Sequence, residues 1–86
     1  MEIVKPQQTN QEIEALLFRA LEYQYQVHIQ LNELQQGETI ASVTGYVKQL
    51  ERIRVLIQVD HNRIHEWNLS QIRNVQLCPT NKIKWS

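Results

Sequence analysis

The stretch Tyr25-Gln26-Val27-His28-Ile29-Gln30-Leu31-Asn32 is where the chain changes its period. Val27, Ile29 and Leu31 alternate with His28, Gln30 and Asn32, the two-residue repeat of a strand with one buried face. Immediately upstream the repeat is helical, with Ile13, Leu16, Leu17, Ala20 and Leu21 at i, i+3, i+4, i+7 and i+8. Glu12, Glu14, Arg19 and Glu22 take the opposite face. Thr9 followed by Glu12 is a capping-box signature, with Asn10 as an alternative cap. These spacings predict one amphipathic helix over residues 10–24 that runs almost directly into a strand. Its early glutamates suit the positive end of the helix dipole.

Downstream the period stays at two. Gln35-Gln36-Gly37-Glu38 reads as a turn in which Gly37 is free to take positive φ. A longer strand follows over about Thr39 to Leu50, with Ala41, Val43, Gly45 and Val47 on one face and Ser42, Thr44, Tyr46 and Lys48 on the other. Gly45 inside a strand marks a bend, a bulge or a close approach of backbone. After the tight connection Glu51-Arg52, the residues Ile53, Val55, Ile57 and Val59 alternate with Arg54, Leu56 and Gln58. Asp60-His61-Asn62 is a polar hairpin loop, and Ile64 to Trp67 a fourth strand. Asn68-Leu69-Ser70-Gln71-Ile72 suits one 3₁₀ turn, and Val75 and Leu77 belong to a fifth strand that Pro79 ends. The fold class is therefore α+β and mostly β. Five strands this short should close into a small barrel with the helix over one open end. Val27, Ile29, Val43, Val47, Val55, Ile57, Val75 and Leu77 are its predicted core.

Eighty-six residues make one domain, and 42% apolar content is enough for a packed core. Residues 1–8, with Pro6 and no periodic pattern, read as a flexible arm, residues 9–78 as the domain, and residues 79–86 as a C-terminal tail. Nine basic residues balance nine acidic ones, which argues against a non-specific nucleic-acid binder held by bulk charge. The balance hides a split, since residues 1–46 carry −4 and residues 47–86 carry +4. Twelve glutamines are dispersed through the chain and read as neutral surface positions. No apolar run approaches the roughly 18 residues of a membrane span, and Met1-Glu2-Ile3-Val4-Lys5-Pro6 has no signal-peptide pattern, so the chain reads as cytoplasmic.

Catalytic chemistry finds little footing. Cys78 is the one cysteine and has no His–Asp arrangement at a recognisable spacing. His28, His61 and His65 read as solvated surface groups, and a metal site from His61 and His65 with Asp60 and Glu66 lacks two well-placed ligands. Gly37 and Gly45 form no phosphate-binding loop. The chain reads as a non-enzyme without cofactor or metal.

The group that stands out is basic: Lys48, Arg52, Arg54 and Arg63, together with Arg73, with Tyr46 and Trp67 nearby in the pattern. Lys48, Arg52 and Arg54 surround one hairpin bend and would focus positive potential on one rim. The favoured reading is a protein interface with aromatic and arginine anchors. Basic residues between aromatics can also grip a nucleic-acid strand, and the same pattern fits a solvated face with Trp67 in the core. If the rim is idle, the acidic helix face at Glu14 and Glu22, or Trp85, is the next surface to consider.

The order of elements, carried by these residues, resembles the Sm-like fold. Val27-His28-Ile29-Gln30-Leu31, Gly37, Val43-Thr44-Gly45-Tyr46-Val47 and Val55-Leu56-Ile57 look like the first Sm motif, and Trp67 to Val75 takes the place of the second. Within that group the chain is similar to the YolD-like family of small proteins from Bacillus-type bacteria and their phages. The resemblance covers about residues 11–77 and rests on Ala20, Val27-His28-Ile29, Thr44-Gly45-Tyr46-Val47-Lys48 and Leu69 to Leu77. The family's N-terminal basic segment ending in Lys-Trp has no counterpart in residues 1–10. The resemblance implies an N-terminal helix followed by a five-stranded Sm-like small barrel. It also implies an accessory protein that binds another protein, such as a Y-family DNA polymerase in the response to DNA damage. The alternatives are an Hfq-like RNA-binding ring, joined through the fourth and fifth strands of neighbouring copies, and a phage-encoded inhibitor of a host or defence protein.

Overall fold

The computed structural model describes residues 4–34 and 40–78. The predicted turn at Gln35-Gln36-Gly37-Glu38 and the tail 79–86 with Trp85 lie outside the described residues. The order is α1 (Asn10–Tyr23), β1 (Gln26–Leu34), β2 (Ile40–Leu50), β3 (Arg54–Asp60), β4 (Arg63–Asn68), a 3₁₀ turn (Leu69–Gln71) and β5 (Ile72–Cys78). One helix and a five-stranded antiparallel sheet, with a 3₁₀ turn before the last strand, are as predicted, while among the described residues no ladder joins β4 to β5 to close the expected barrel.

The capping box forms at Thr9. Its Oγ1 accepts from Glu12 N at 3.1 Å, while Thr9 N donates to Glu12 Oε1 at 3.0 Å. The helix ends where Gln24 turns left-handed at φ 62°, and Tyr25 N donates to Ala20 O at 3.0 Å. That turn points the chain straight into β1.

The sheet order is β4-β3-β2-β1-β5, so β1 is shared by two neighbours and β4 and β5 are the edges. Every ladder has a register shift, and the one after Gln30 falls on both sides of β1. Such shifts bend a strand and increase its twist, which wraps the sheet around one core. Ile13 and Leu17 of α1, Ile29 of β1 and Ile57 of β3 are fully buried there. Each such side chain contributes roughly 1.5–3 kcal/mol by leaving water. Of the predicted core, Val27, Ile29, Val47, Val55, Ile57 and Val75 are buried, and Val43 and Leu77 pack half-buried against them. Gly45 serves close approach. A Cβ there would collide with the Gln58 carbonyl oxygen and stand 2.7 Å from Ile57 Cγ2.

Two readings are corrected. Ile53 alternates in phase with Val55 and Ile57, yet it lies before β3 in the connection and is 67% exposed. The arm is not loose over its described part. Gln8 N donates to Arg73 O at 2.8 Å, and the Gln8 side chain meets both backbone groups of Val75, accepting from N at 2.8 Å and donating to O at 3.4 Å. Upstream, Lys5 O accepts from Arg73 Nε at 2.6 Å, Pro6 O from Asn74 Nδ2 at 3.0 Å, and Lys5 N donates to Gln30 Oε1 at 2.7 Å. Hydrogen bonds hold this segment where apolar periodicity is lacking, and they account for the burial of Gln30 to 1% exposure. The neutral-surface reading of the glutamines fails at Gln30 for that reason.

Candidate functional site

The candidate partner-binding residues Lys48, Arg52, Arg54, Arg63, Tyr46 and Trp67 do not share one surface. Arg54 opens β3 and forks between two carboxylates, with Nε 2.6 Å from Glu51 Oε1 and Nη1 2.9 Å from Glu66 Oε2. Glu51 first, then Glu66, pushes its pKa up through these hydrogen bonds. Arg63 pairs with Asp60 at 2.6 Å across the β3–β4 loop. Arg54 faces Asn68 at one end of the β3–β4 ladder and Arg63 faces Asp60 at the other, so the two lie about 20 Å apart at the usual rise per residue. Lys48 and Arg52 are exposed and have no ion-pair partner among the described residues. Of the three cations at the hairpin bend, Arg54 is thus held between two carboxylates, while Lys48 and Arg52 stand exposed.

The aromatic half departs further. Tyr46 lies on the face of β2 opposite the core, as the alternation predicts, but it is only 3% exposed. It occupies a central strand between Gln26 of β1 and Gln58 of β3, whose side chains flank it on the same face. Trp67 is half-buried against the core cluster and stacks on His65, with ring centroids 5.4 Å apart and planes 16° off parallel. It faces Val55 across the ladder and so belongs to the core side of β4.

What the fold does assemble around Arg52 is a groove. Glu51 N donates to Arg54 O and Leu69 N to Ile53 O, both at 2.8 Å, which holds the β2–β3 connection as a fixed projection. Arg52 and Ile53 stand on one side of it, the 3₁₀ turn at Leu69 and Ser70 on the floor, and Gln11 and Glu14 of α1 on the far side. This cleft is about 590 Å³, and a second of about 520 Å³ shares Gln11, Glu14 and Arg52 and continues to Phe18. Phe18 is 57% exposed and sits one turn beyond Glu14 on the polar face of the helix. Sequence reasoning passed over Phe18. The available signal was an aromatic four residues from Glu14, outside the apolar stripe.

Among the described residues no three His, Cys, Asp or Glu side chains stand together in a metal-holding group, and no helix is long and apolar enough to cross a membrane. Cys78 is half-buried at the end of β5. Comparison of the chain with protein-family models, curated proteins and solved structures finds no match.

Proposed function

We propose that this chain is a small non-enzymatic accessory protein of the YolD-like, Sm-like kind, working in the cytoplasm by binding another protein. The observation that carries the reading is the groove, where Phe18 and Ile53 stand exposed on either side of Glu14 and Arg52. Large apolar side chains held rigidly out of a small domain, with an arginine and a carboxylate beside them, are what a protein interface uses as anchor and rim. The partner that the resemblance implies is a Y-family DNA polymerase.

The ring alternative needs both edges of the sheet free. Gln8 occupies the outer edge of β5 at Arg73 and Val75, which counts against pairing β5 with β4 of a neighbour. Binding of the purified chain to the Y-family polymerase of its own organism, and to uridine-rich RNA, tests the proposal. Polymerase binding should respond mildly to salt and weaken about tenfold or more when Phe18→Ala and Ile53→Ala are combined. Polymerase binding that ignores the double substitution, or no binding at all, would overturn the assignment. RNA binding with a log–log salt slope near −0.7 per phosphate would do the same.

A further inference from the structure

We propose that two copies of this chain pair through β4, antiparallel, about a twofold axis at His65. The inference is independent of the groove and of its partner. β4 is an edge strand that keeps almost nothing to itself: of its six residues only Trp67 is half-buried, and Ile64 is 56% exposed. Edge strands of this kind are templates for further pairing unless something blunts them. β4 contains neither proline nor lysine, and its register shift comes only at its first residue.

The direction of its free backbone groups follows from one bond. Leu69 N donates to Ile53 O in continuation of the Arg54↔Asn68 register. Rungs alternate in an antiparallel ladder, so the bonds to β3 fall at Trp67 and His65, and the backbone groups of Ile64, Glu66 and Asn68 point outward. Asn68 N is in fact taken off the ladder by Gln71 Oε1 at 2.8 Å. No described hydrogen bond reaches the main chain of Ile64 or Glu66.

What can pair there is narrowed by the other edge. β5 of a second copy is occupied by its own Gln8, which leaves β4 of a second copy as the edge that closes the contact on itself. Facing residues in such a pair must lie on the same face, so only a few registers are possible. Centring on Glu66 sets two carboxylates opposite each other. Centring on His65 instead makes each Ile64 exchange both backbone bonds with Glu66 of the other copy. It also sets Arg63 opposite Trp67 of the other copy on the core side, an arrangement suited to a cation–π contact. Arg63, His65 and Trp67 already line a cleft of about 470 Å³ with Val43 and Val59, and the pairing joins the two clefts across the axis.

Light scattering on the full chain in solution tests this. The expected mass is twice the 10.3 kDa of the chain, dissociating on dilution. Glu66→Pro removes an outward N–H, a change that an edge strand tolerates, and should weaken dimerisation about tenfold or more. His65→Cys in a Cys78→Ser background should oxidise to a covalent dimer, since facing residues of a non-bonded pair lie about 4.5 Å apart, within disulfide reach. Ser70→Cys in the same background should not. If Glu66→Pro does not fold by circular dichroism, Ile64→Lys and the crosslink carry the test. A monomer at all concentrations or a hexameric or heptameric ring overturns the proposal. So does a dimer that neither Glu66→Pro nor Ile64→Lys weakens, or one that His65→Cys cannot lock.

Discussion

The two edges of one sheet are finished in opposite ways. Along β5 the chain folds its own N-terminal segment back, and the Gln8 amide meets the N–H and C=O of Val75 as a strand would. Along β4 the outward groups of Ile64 and Glu66 meet no other described residue, and the side chains stand exposed. The difference teaches that an edge can be closed without a strand. A glutamine side chain carries the same donor and acceptor as a peptide unit, so one well-placed amide can end a sheet at little cost in chain length. Edge β5 is thereby withdrawn from assembly, and β4 is left as the side on which another chain can add.

The largest expected effect severs the two edges from each other. Gly45 lies in β2, between the β1–β5 half and the β3–β4 half, and a Cβ there runs into the Gln58 carbonyl. Gly45→Ala should cost roughly 3 kcal/mol, the upper part of the range for overpacking, because the obstacle is backbone that cannot rotate away. Urea denaturation measures it as a lower midpoint at unchanged slope. A loss below about 0.5 kcal/mol would mean that β2 and β3 separate easily, and the edges would then be less rigidly linked than the close approach at Gly45 implies.

Next in size, Gln8→Ala opens the closed edge. It strands the Val75 N–H, and the loss should be about 1–2 kcal/mol, typical for removing a partner from part-buried backbone groups. Hydrogen exchange sharpens the comparison, because the Val75 amide should speed up about tenfold while the core amides of β1 follow only the global change. If Val75 exchanges no faster in the variant, the arm does not protect β5 and the contrast between the edges disappears.

A smaller effect belongs to the open edge. Arg54 ties Glu66 of β4 to Glu51, but its side chain is 43% exposed, so Arg54→Ala should lower the urea midpoint only slightly. Most of that should vanish in high salt. A larger loss that salt does not touch would show the guanidinium acting through packing of its stem.

How far the sequence foretold this arrangement depends on what each residue interacts with. The period change after Tyr25, the Thr9–Glu12 box and Gly45 inside β2 are local signals, and the helix, the strands and the close approach stand where they predicted. Gln8 and Gln30 carry no such signal. An amide that completes a sheet edge about 67 residues away has the same neighbours in sequence as one in water. Arg54 and Glu66 are twelve apart, so their pairing depends on the length of the β3–β4 hairpin and on which face each takes. Arg54's carboxylate partners were not legible in the basic pattern for that reason. Tyr46 failed because alternation assigns a face but not what covers it, and a central strand flanked by glutamines covers even the face away from the core. Phe18 was passed over because an amphipathic stripe directs attention to the buried side of a helix, whereas binding draws on the exposed one.

The smallest expected effect lies at the loop that starts β4. Asp60 Oδ1 accepts from Asn62 N at 2.9 Å and Oδ2 from Arg63 Nε at 2.6 Å. The Asn62 N–H first, and then the Arg63 guanidinium, hold the carboxyl below its ordinary range. A carboxyl depressed in the folded state binds its proton more weakly than the unfolded chain does. Its contribution is therefore complete above the unfolded value, near pH 3.9, and is lost as pH falls from there through the folded midpoint. The group is exposed, so only a slight acid-side decline in stability is expected. Asp60→Asn should remove that decline because the variant lacks the small contribution already at neutral pH, so the two proteins converge in stability as pH falls. Carbon-detected NMR titration of Asp60 decides it directly. A midpoint at or above about 3.9 would mean that the loop does not hold its carboxylate, and the entry of β4 into the open edge would be no better ordered than the edge itself.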